Sequence, residues 1–326
     1  DDGREGLGEF PAPRPGDLGE DVSPRLSTAL TGIDLGDPAR VERTLRAVDA
    51  WPFVGRATRS AVESALVDLL ARVNGRSVAA HLAPEPASRV AVNALIGIVP
   101  PDEAARRATA LVEQGYACLK LKAGDETVGV LAERLGAVRA AIGPDVSLRL
   151  DFNGSLASEA AADVLAGVAP FDIEYAEQPI APAAGAEALA HLRWTGAVPV
   201  AADEAVRDVG SARVLIDTGA VDVLVVKPAR VGGLRQANAI VELAAAASLP
   251  VTVSTMFETG VGLAGALHLA AAVPGSGAHG LGTGSLLASD LLEDGPRVVD
   301  GYMSVPAGPG LGIVLDEAAL ERYRWA

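Results

Sequence analysis

The chain has one cysteine, Cys118, and four histidines. A single thiol excludes an internal disulfide and fits a reducing cytoplasm. Set among apolar neighbours, Cys118 reads as a small buried hydrophobe. Four histidines argue against a His-rich metal site. Basic residues are also scarce: 27 Lys and Arg stand against 42 Asp and Glu, a net charge of −15. Nucleic acid wants a basic surface, so that partner is not expected. No apolar stretch of membrane-spanning length is free of polar interruption, so no transmembrane helix is expected. The front carries no basic, apolar signal segment. What is present is 326 residues, 49% hydrophobic, enough for one large domain or a barrel with a small domain.

From about residue 89 a rhythm sets in. Runs rich in Val, Leu, Ile and Ala read as buried strands at 90–96, 117–122, 146–151, 173–177, 198–203, 221–227, 250–254 and 279–283. Ala-rich stretches of helical spacing lie between them, as at 102–114, 128–142 and 234–247. Near-continuous apolar strands alternating with helices indicate a parallel sheet covered on both faces. Eight such units close as a (β/α)8-type barrel. An open doubly wound sheet is the alternative, but no G-x-G-x-x-G follows the first strand. The expected fold class is α/β, a (β/α)8-type barrel with a smaller α+β capping domain.

The front and the tail break the rhythm. Residues 1–37 are rich in Gly, Pro and acids, and GREGLGEFPAP reads as a strand leading into a loop. Residues 40–50 and 56–73 read as helices. In the second, Val62, Ala65, Leu66, Leu69, Leu70 and Val73 form one apolar face, and Gly75 is placed to end it. The expected organisation is a capping domain over 1–88, the barrel with its active site over 89–300, and a Gly/Pro-rich segment over 301–326 that returns to the capping domain.

Polar residues mark the strand ends on the same beat. Asp151, Glu177, Asp203, Lys227 and Ser254 follow at intervals of 26, 26, 24 and 27 residues, about one βα unit each. Active sites of such barrels lie at the C-terminal strand ends. Residues i and i+2 of a strand share a face, so CLKLKAG aims Lys120 and Lys122 the same way, and DFN does so for Asp151 and Asn153. A lone polar residue at a strand end is more often a turn or cap, and Asp-Phe-Asn-Gly has turn composition. Three carboxylates and three lysines on five consecutive strands must answer one another, because unpaired buried charges are costly.

Asp151, Glu177 and Asp203 offer one carboxylate per strand. That set suits a hard divalent cation, Mg2+, with Mn2+ as a substitute. The lack of histidine or thiol in it disfavours Zn2+. Glu204 points away from Asp203 by alternation and is read as support, as are Lys120 and Asn153. Lys122 and Lys227 come from opposite sides of the ring, so a metal-bound substrate carboxylate would lie between two ammonium groups. Lysine changes protonation readily when buried or near other cations, so one of a pair can act as a base. Removing a proton α to a carboxylate makes an enediolate, which a cation stabilises most in the transition state.

KLK, DFN, EQP, ADE and VKPARVGG on five consecutive strands, with RSAVESALVDLLARVNG ahead of them, resemble the enolase superfamily, muconate-lactonizing subgroup. The resemblance covers the whole barrel and much of the small domain. It implies a capping domain over the barrel mouth, Asp151, Glu177 and Asp203 as Mg2+ ligands, and Lys122 and Lys227 as the acid/base pair. A Lys or His base with Mg2+ is general in this superfamily. The family has further N-terminal strand before the segment resembling GLGEFPAP, with a loop that covers the substrate. The capping domain is therefore expected to be incomplete in this chain.

Strands seven and eight discriminate among reactions. VTVSTMFETGVGLAGALHLAAAVP and AHGLGTGSLLASDLLED look most like o-succinylbenzoate synthases, which eliminate water from a succinyl-hydroxycyclohexadiene carboxylate on the menaquinone route. The likeness implies that Lys122 takes the α-proton and returns it to the leaving hydroxide, while Lys227 stabilises the enediolate. Ser254 and Thr255 are candidates to hydrogen-bond the succinyl carboxylate, and Gly282 and Gly284 to leave room for it. GLGTGS reads equally well as a plain loop. Glu258 reads as structural, near a helix start.

N-succinylamino-acid racemase and muconate cycloisomerase, of the same subgroup, are the alternatives. Dipeptide epimerases carry an Asp-x-Asp at the eighth strand, which this sequence lacks. A Schiff-base aldolase would also use a barrel lysine, but has no need of three carboxylates. A non-catalytic binding barrel would have lost a ligand or a base. The expected partner is a small carboxylate substrate, with neither nucleic acid nor membrane. The expected compartment is the cytoplasm, and a homo-oligomer is compatible with the sequence.

Overall fold

The computed structural model describes residues 3–11, 23–49, 55–196, 198–275 and 277–324. Four helices come first: α1 (Ser23–Leu30), α2 (Pro38–Asp49), α3 (Arg56–Val73) and α4 (Val78–Leu82). Strands β1 (Arg89–Ala91) and β2 (Ala94–Ile96) follow, then α5 (Pro101–Glu113), β3 (Cys118–Lys122), α6 (Val128–Ile142), β4 (Ser147–Asp151), α7 (Ser158–Val168) and β5 (Ile173–Glu177). The alternation continues through α8 (Ala186–Thr195), β6 (Val200–Ala202), α9 (Val209–Asp217), β7 (Val223–Val226), α10 (Pro228–Val231), α11 (Leu234–Ala246), β8 (Val251–Val253) and α12 (Gly260–Ala272). The chain ends in β9 (Val298–Val299), β10 (Tyr302–Ser304) and α13 (Glu317–Arg322).

Strands β2 to β8 form one parallel sheet in chain order, as repeated βα units require. The sheet is curled. Val92 bridges His279, and Ser254 bridges Gly280, both in parallel, so residues 279–280 lie between the first and last strands. These two bridging residues stand where a full strand over 279–283 was expected. The expected strand over 90–96 is divided. Its first half, β1, pairs antiparallel with β10, and β10 with β9. Only β2 joins the parallel sheet, beside β3. Strand residues such as Leu119, Leu121, Leu148, Leu150 and Val226 are buried with helix residues such as Leu131, Leu135, Leu165 and Ile240 in one apolar core. Full burial of each such side chain stabilises by about 1.5–3 kcal/mol, which fixes the register that aims alternate residues inward. Among the described residues, no helix is long and apolar enough to cross a membrane.

Helix α3 departs from the expected apolar face. Val73 is exposed, and the buried residues include Arg59, Ser60, Glu63 and Asp68. The reason is that α3 is packed from several sides and its acids accept buried backbone N–H groups. Asp68 accepts from Leu7 at 2.8 Å and Leu311 at 2.7 Å, and Glu63 from Arg235 at 3.1 Å. One helix thus ties together the front, the tail and the start of α11. GREGLGEFPAP forms no strand over 3–11; residues 12 and 13 lie outside the described residues, as does Ala50 of the second helix. Gly6 and Gly8 instead lie flush on α3, where a Cβ would stand 2.0 Å and 1.9 Å from backbone oxygens of Ala65 and Ala61. Gly75 ends α3 as expected, at φ +62°.

Candidate active site

Parallel pairing sets the levels of the site. Lys122 pairs with Asp151 and Asp151 with Glu177, so three polar residues share one level across three strands. Glu177 pairs with Ala201, which leaves Asp203 two residues beyond that level. Lys120 starts one step below and reaches up. Its Nζ donates to both Glu177 oxygens at 3.0 and 3.2 Å and lies 3.0 Å from Asp151 Oδ2. Lys122 Nζ donates to Asp151 Oδ2 at 2.8 Å and Asn153 Oδ1 at 2.6 Å. Across the ring, Lys227 Nζ donates to Asp203 Oδ2 at 2.6 Å, and Arg230 holds the other Asp203 oxygen.

Asp151 serves both as a turn residue and as a holder of charge. Its Oδ1 accepts the Asn153 N–H at 3.2 Å, while Oδ2 faces two lysines. Asn153 and Gly154 sit at φ +47° and +74°, a left-handed turn that these residue types tolerate. The Asn153 amide then bridges outward, with Nδ2 donating to Glu204 Oε1 at 3.0 Å. Glu204 Oε2 is buried and has no partner among the described residues.

Burial opposes ionisation of Asp151, but Lys120 and Lys122 outweigh it and hold its carboxyl down at about 2. Burial pushes Glu177 up to about 7 against the pull of Lys120. Burial also works against the charge of Lys120, yet Glu177 and Asp151 raise it above the usual lysine range. Lys120 therefore stays charged and binds two strands together. Cys118 is buried as expected, its thiol pushed up to about 12 by burial.

A cavity of about 70 Å3 brings Lys120, Lys122, Asp151 and Lys227 together with Ser254, Thr255 and Gly282. The Ser254 hydroxyl donates to Gly280 O at 3.2 Å, and the Thr255 and Thr283 hydroxyls are 2.8 Å apart. Gly284 lines a neighbouring cavity of about 510 Å3 that shares Gly282. The glycine that the site cannot replace is Gly280, where a Cβ would stand 2.6 Å from Ser254 Oγ. Glu258 does not cap the helix that follows it. Glu9 does, accepting the N–H groups of Thr259 at 2.7 Å and Gly262 at 2.8 Å.

Gln178 is the residue that sequence reasoning passed over. It is fully buried between Glu177 and Pro179, at φ +41°. Its Oε1 accepts the N–H groups of Asp203 at 3.1 Å and Ala205 at 3.0 Å, and its Nε2 donates to Ile180 O at 2.8 Å. It fixes the backbone that presents Asp203. The signal was present in EQP, a long amide wedged between a strand-end carboxylate and a proline.

Asp151, Glu177 and Asp203 stand near one another with basic groups among them: Glu177 feels the charge of both other acids, Lys120 engages Asp151 and Glu177, and Lys227 engages Asp203. Among the described residues, no three His, Cys, Asp or Glu side chains form a ligand cage. Basic side chains take most of these oxygens: Lys120 both of Glu177, Lys120 and Lys122 the Oδ2 of Asp151, and Lys227 and Arg230 those of Asp203. The donor chemistry, three oxygen-only carboxylates at successive strand ends, still fits a hard divalent cation.

A curled parallel sheet with lysines and carboxylates interleaved at its C-terminal strand ends defines the class. The chain belongs to the enolase superfamily: the enolase C-terminal domain-like family matches residues 103–319. Among similar proteins is an o-succinylbenzoate synthase from Thermobifida fusca, 37% identical over 219 residues, which are 66% of this chain and 66% of that protein. Muconate cycloisomerase 1 from Rhodococcus opacus is 32% identical over 270 residues, 82% of this chain and 72% of that protein. The chain thus spans about two thirds of the length of the o-succinylbenzoate synthase it matches. A muconate lactonizing enzyme from Pseudomonas fluorescens shares the fold, with a TM-score of 0.91 at 24% identity over 99% of this chain and 89% of that one.

Proposed function

We propose that the chain is an o-succinylbenzoate synthase-like lyase, which takes a proton α to a carboxylate and eliminates water. One observation carries the reading: Lys122, on β3, and Lys227, at the end of β7, line the same cavity together with Asp151. Lys122 Nζ takes the α-proton, and the electron pair left on carbon moves into the carboxylate as an enediolate. The Lys227 ammonium faces the new charge, where its effect is greatest in the transition state. As the C–O bond breaks, Lys122 gives its proton to the departing hydroxide, which leaves as water, and the base is restored.

Asp151, Glu177 and Asp203 would hold Mg2+, or Mn2+ in its place, and the bound ion supplies charge stabilisation to the enediolate oxygens. Lys120, Asn153 and Glu204 keep these groups in position. Ser254, Thr255 and Gly282 shape the space for the succinyl tail, with Gly284 at the passage to the neighbouring cavity. The same reading takes residues 279–280 as the eighth strand of a (β/α)8-type barrel over 89–300, under a capping domain of 1–88 and 301–326. It carries with it a cytoplasmic enzyme, a homo-oligomer and a small carboxylate as partner.

A second reading, N-succinylamino-acid racemase, is favoured by the lysines standing on two sides of one cavity. Muconate cycloisomerase follows, on the Rhodococcus relative. Turnover with Mg2+ on a panel of the cyclohexadiene acid, N-succinylamino acids, dipeptides and muconolactone tests all three. Preference for the cyclohexadiene acid supports the lyase; preference for any other panel member removes it.

A further inference from the structure

The floor and the rim of the lysine cavity differ in kind. Lys120, Lys122, Asp151 and Lys227 give it a charged floor. Leu95, Phe257 and Leu286 line the same cavity, and they are 38%, 57% and 59% exposed. Leu95 pairs with Lys120 across β2 and β3, so the two side chains leave the sheet on the same face. Large apolar side chains left open together, beside polar groups, mark a binding site more often than chance exposure.

Phe257 supplies a second observation. Its φ is +66°, in the left-handed region, and it is the only aromatic residue there among the described residues. A bulky residue with such a φ is a backbone outlier, which persists only where its surroundings hold it. Hydrogen bonds do so on both sides. Ahead of it, the Ser254 hydroxyl donates to Gly280 O at 3.2 Å, and the Thr255 and Thr283 hydroxyls are 2.8 Å apart. After it, Glu258 turns back to accept the Met256 N–H, and Glu9 accepts the Thr259 N–H at 2.7 Å. The turn over 255–259 is thus fixed at both ends, and it presents a ring to the cavity. Glycine would take this φ without strain, and a ring more than half exposed does little for the core. A strained, open ring over a charged floor has its use when the cavity is filled.

We propose that Phe257, with Leu95 and Leu286, receives an apolar ring of the substrate while the substrate carboxylate lies on the lysine floor. Phe257 then sets a preference for acids that carry a ring. The inference rests on the proposed function only in taking the lysine cavity as the substrate site. Charge below and apolar side chains above match an acid with an apolar body. The contact is made away from the reacting carbon and is alike in ground and transition states, so it acts on affinity more than on kcat.

The test compares two pairs of acids that differ in the ring: 2-succinylbenzoate with 4-oxoheptanedioate, and N-succinylphenylglycine with N-succinylglycine. Titration calorimetry of the full chain with Mg2+ should show the ring-bearing member of a pair bound about tenfold tighter. Phe257→Gly should abolish that preference and leave the ring-free acids unchanged. It should not lower Tm, because glycine adopts the φ freely. Phe257→Tyr should keep the preference. Phe257→Asn, which also tolerates this φ, takes the place of the glycine variant should that one fail to fold. A preference found only in the N-succinyl pair counts against the lyase and leaves the role of Phe257 standing. No preference in either pair, a preference that survives in Phe257→Gly, or equal weakening of ring-bearing and ring-free acids would overturn the proposal.

Discussion

Lys122 and Lys227 face one cavity from unlike settings. The Lys122 side chain is 32% exposed and that of Lys227 11%. Lys122 shares Asp151 Oδ2 with Lys120, and its second partner is a neutral amide oxygen, Asn153 Oδ1. Lys227 has a carboxylate oxygen of Asp203, whose other oxygen Arg230 holds. Each lysine donates to a carboxylate oxygen; Lys122 alone has an amide oxygen as its other partner and is the more open to the cavity. On the proposed reading, one lysine is arranged to pass a proton and the other to stand as a fixed charge. That asymmetry suits a dehydration better than a racemisation, in which each lysine serves one face.

The largest effect expected from breaking this comparison is on turnover. Lys122→Ala should lower kcat on the cyclohexadiene acid by ~10²–10⁴. Lys227→Ala should also be badly impaired, through lost charge stabilisation. Full activity of either variant would dissolve the pairing of roles.

Metal-free stability should separate the two sides next. Asp203→Asn leaves Lys227 and Arg230 without their shared carboxylate, and breaking a buried pair costs roughly 3–5 kcal/mol. Asp151→Asn costs less, because Lys120 keeps Glu177 and Lys122 keeps Asn153. Urea unfolding in EDTA should rank the wild type above Asp151→Asn and Asp151→Asn above Asp203→Asn.

The acids of the two sides should respond to pH in opposite senses. Glu258, which feels Lys227, is raised by burial from an ordinary 4.5 to about 7. Its folded state holds the proton more tightly, so its contribution is full below 4.5 and is lost as pH rises toward 7. Asp151 is held at about 2 against an ordinary 3.8, so its contribution is present above 3.8 and lost as pH falls toward 2. Denaturation of metal-free protein across both windows should show Glu258→Gln flattening the upper one and Asp151→Asn the lower. The smallest effect is expected from Asn153→Ala. It removes one hydrogen bond to Lys122, about 1 kcal/mol or roughly fivefold in kcat.

Much of this was legible because parallel strands force it. Apolar runs fixed which residues face the helices, and alternation then aimed Lys120, Lys122, Asp151, Glu177 and Asp203 inward. What was not legible depends on contacts far apart in the sequence. The buried acids of α3 accept N–H groups from residues 7, 235 and 311, so its face could not be apolar throughout. Gly280 has its importance from Ser254, and Gln178 from the N–H of Asp203. Residues 90–96 divide because β10, more than 200 residues on, takes the first half. The level offset of Asp203 follows from register between β5 and β6, which spacing alone does not reveal.

The most direct test of the unequal lysines is exchange of the substrate α-proton in deuterium oxide, followed by NMR in the wild type, Lys122→Ala and Lys227→Ala with Mg2+. The account predicts exchange in Lys227→Ala at a reduced rate, even where water elimination is lost, and none in Lys122→Ala. Exchange that persists in Lys122→Ala, or that each variant retains for one enantiomer only, would contradict it.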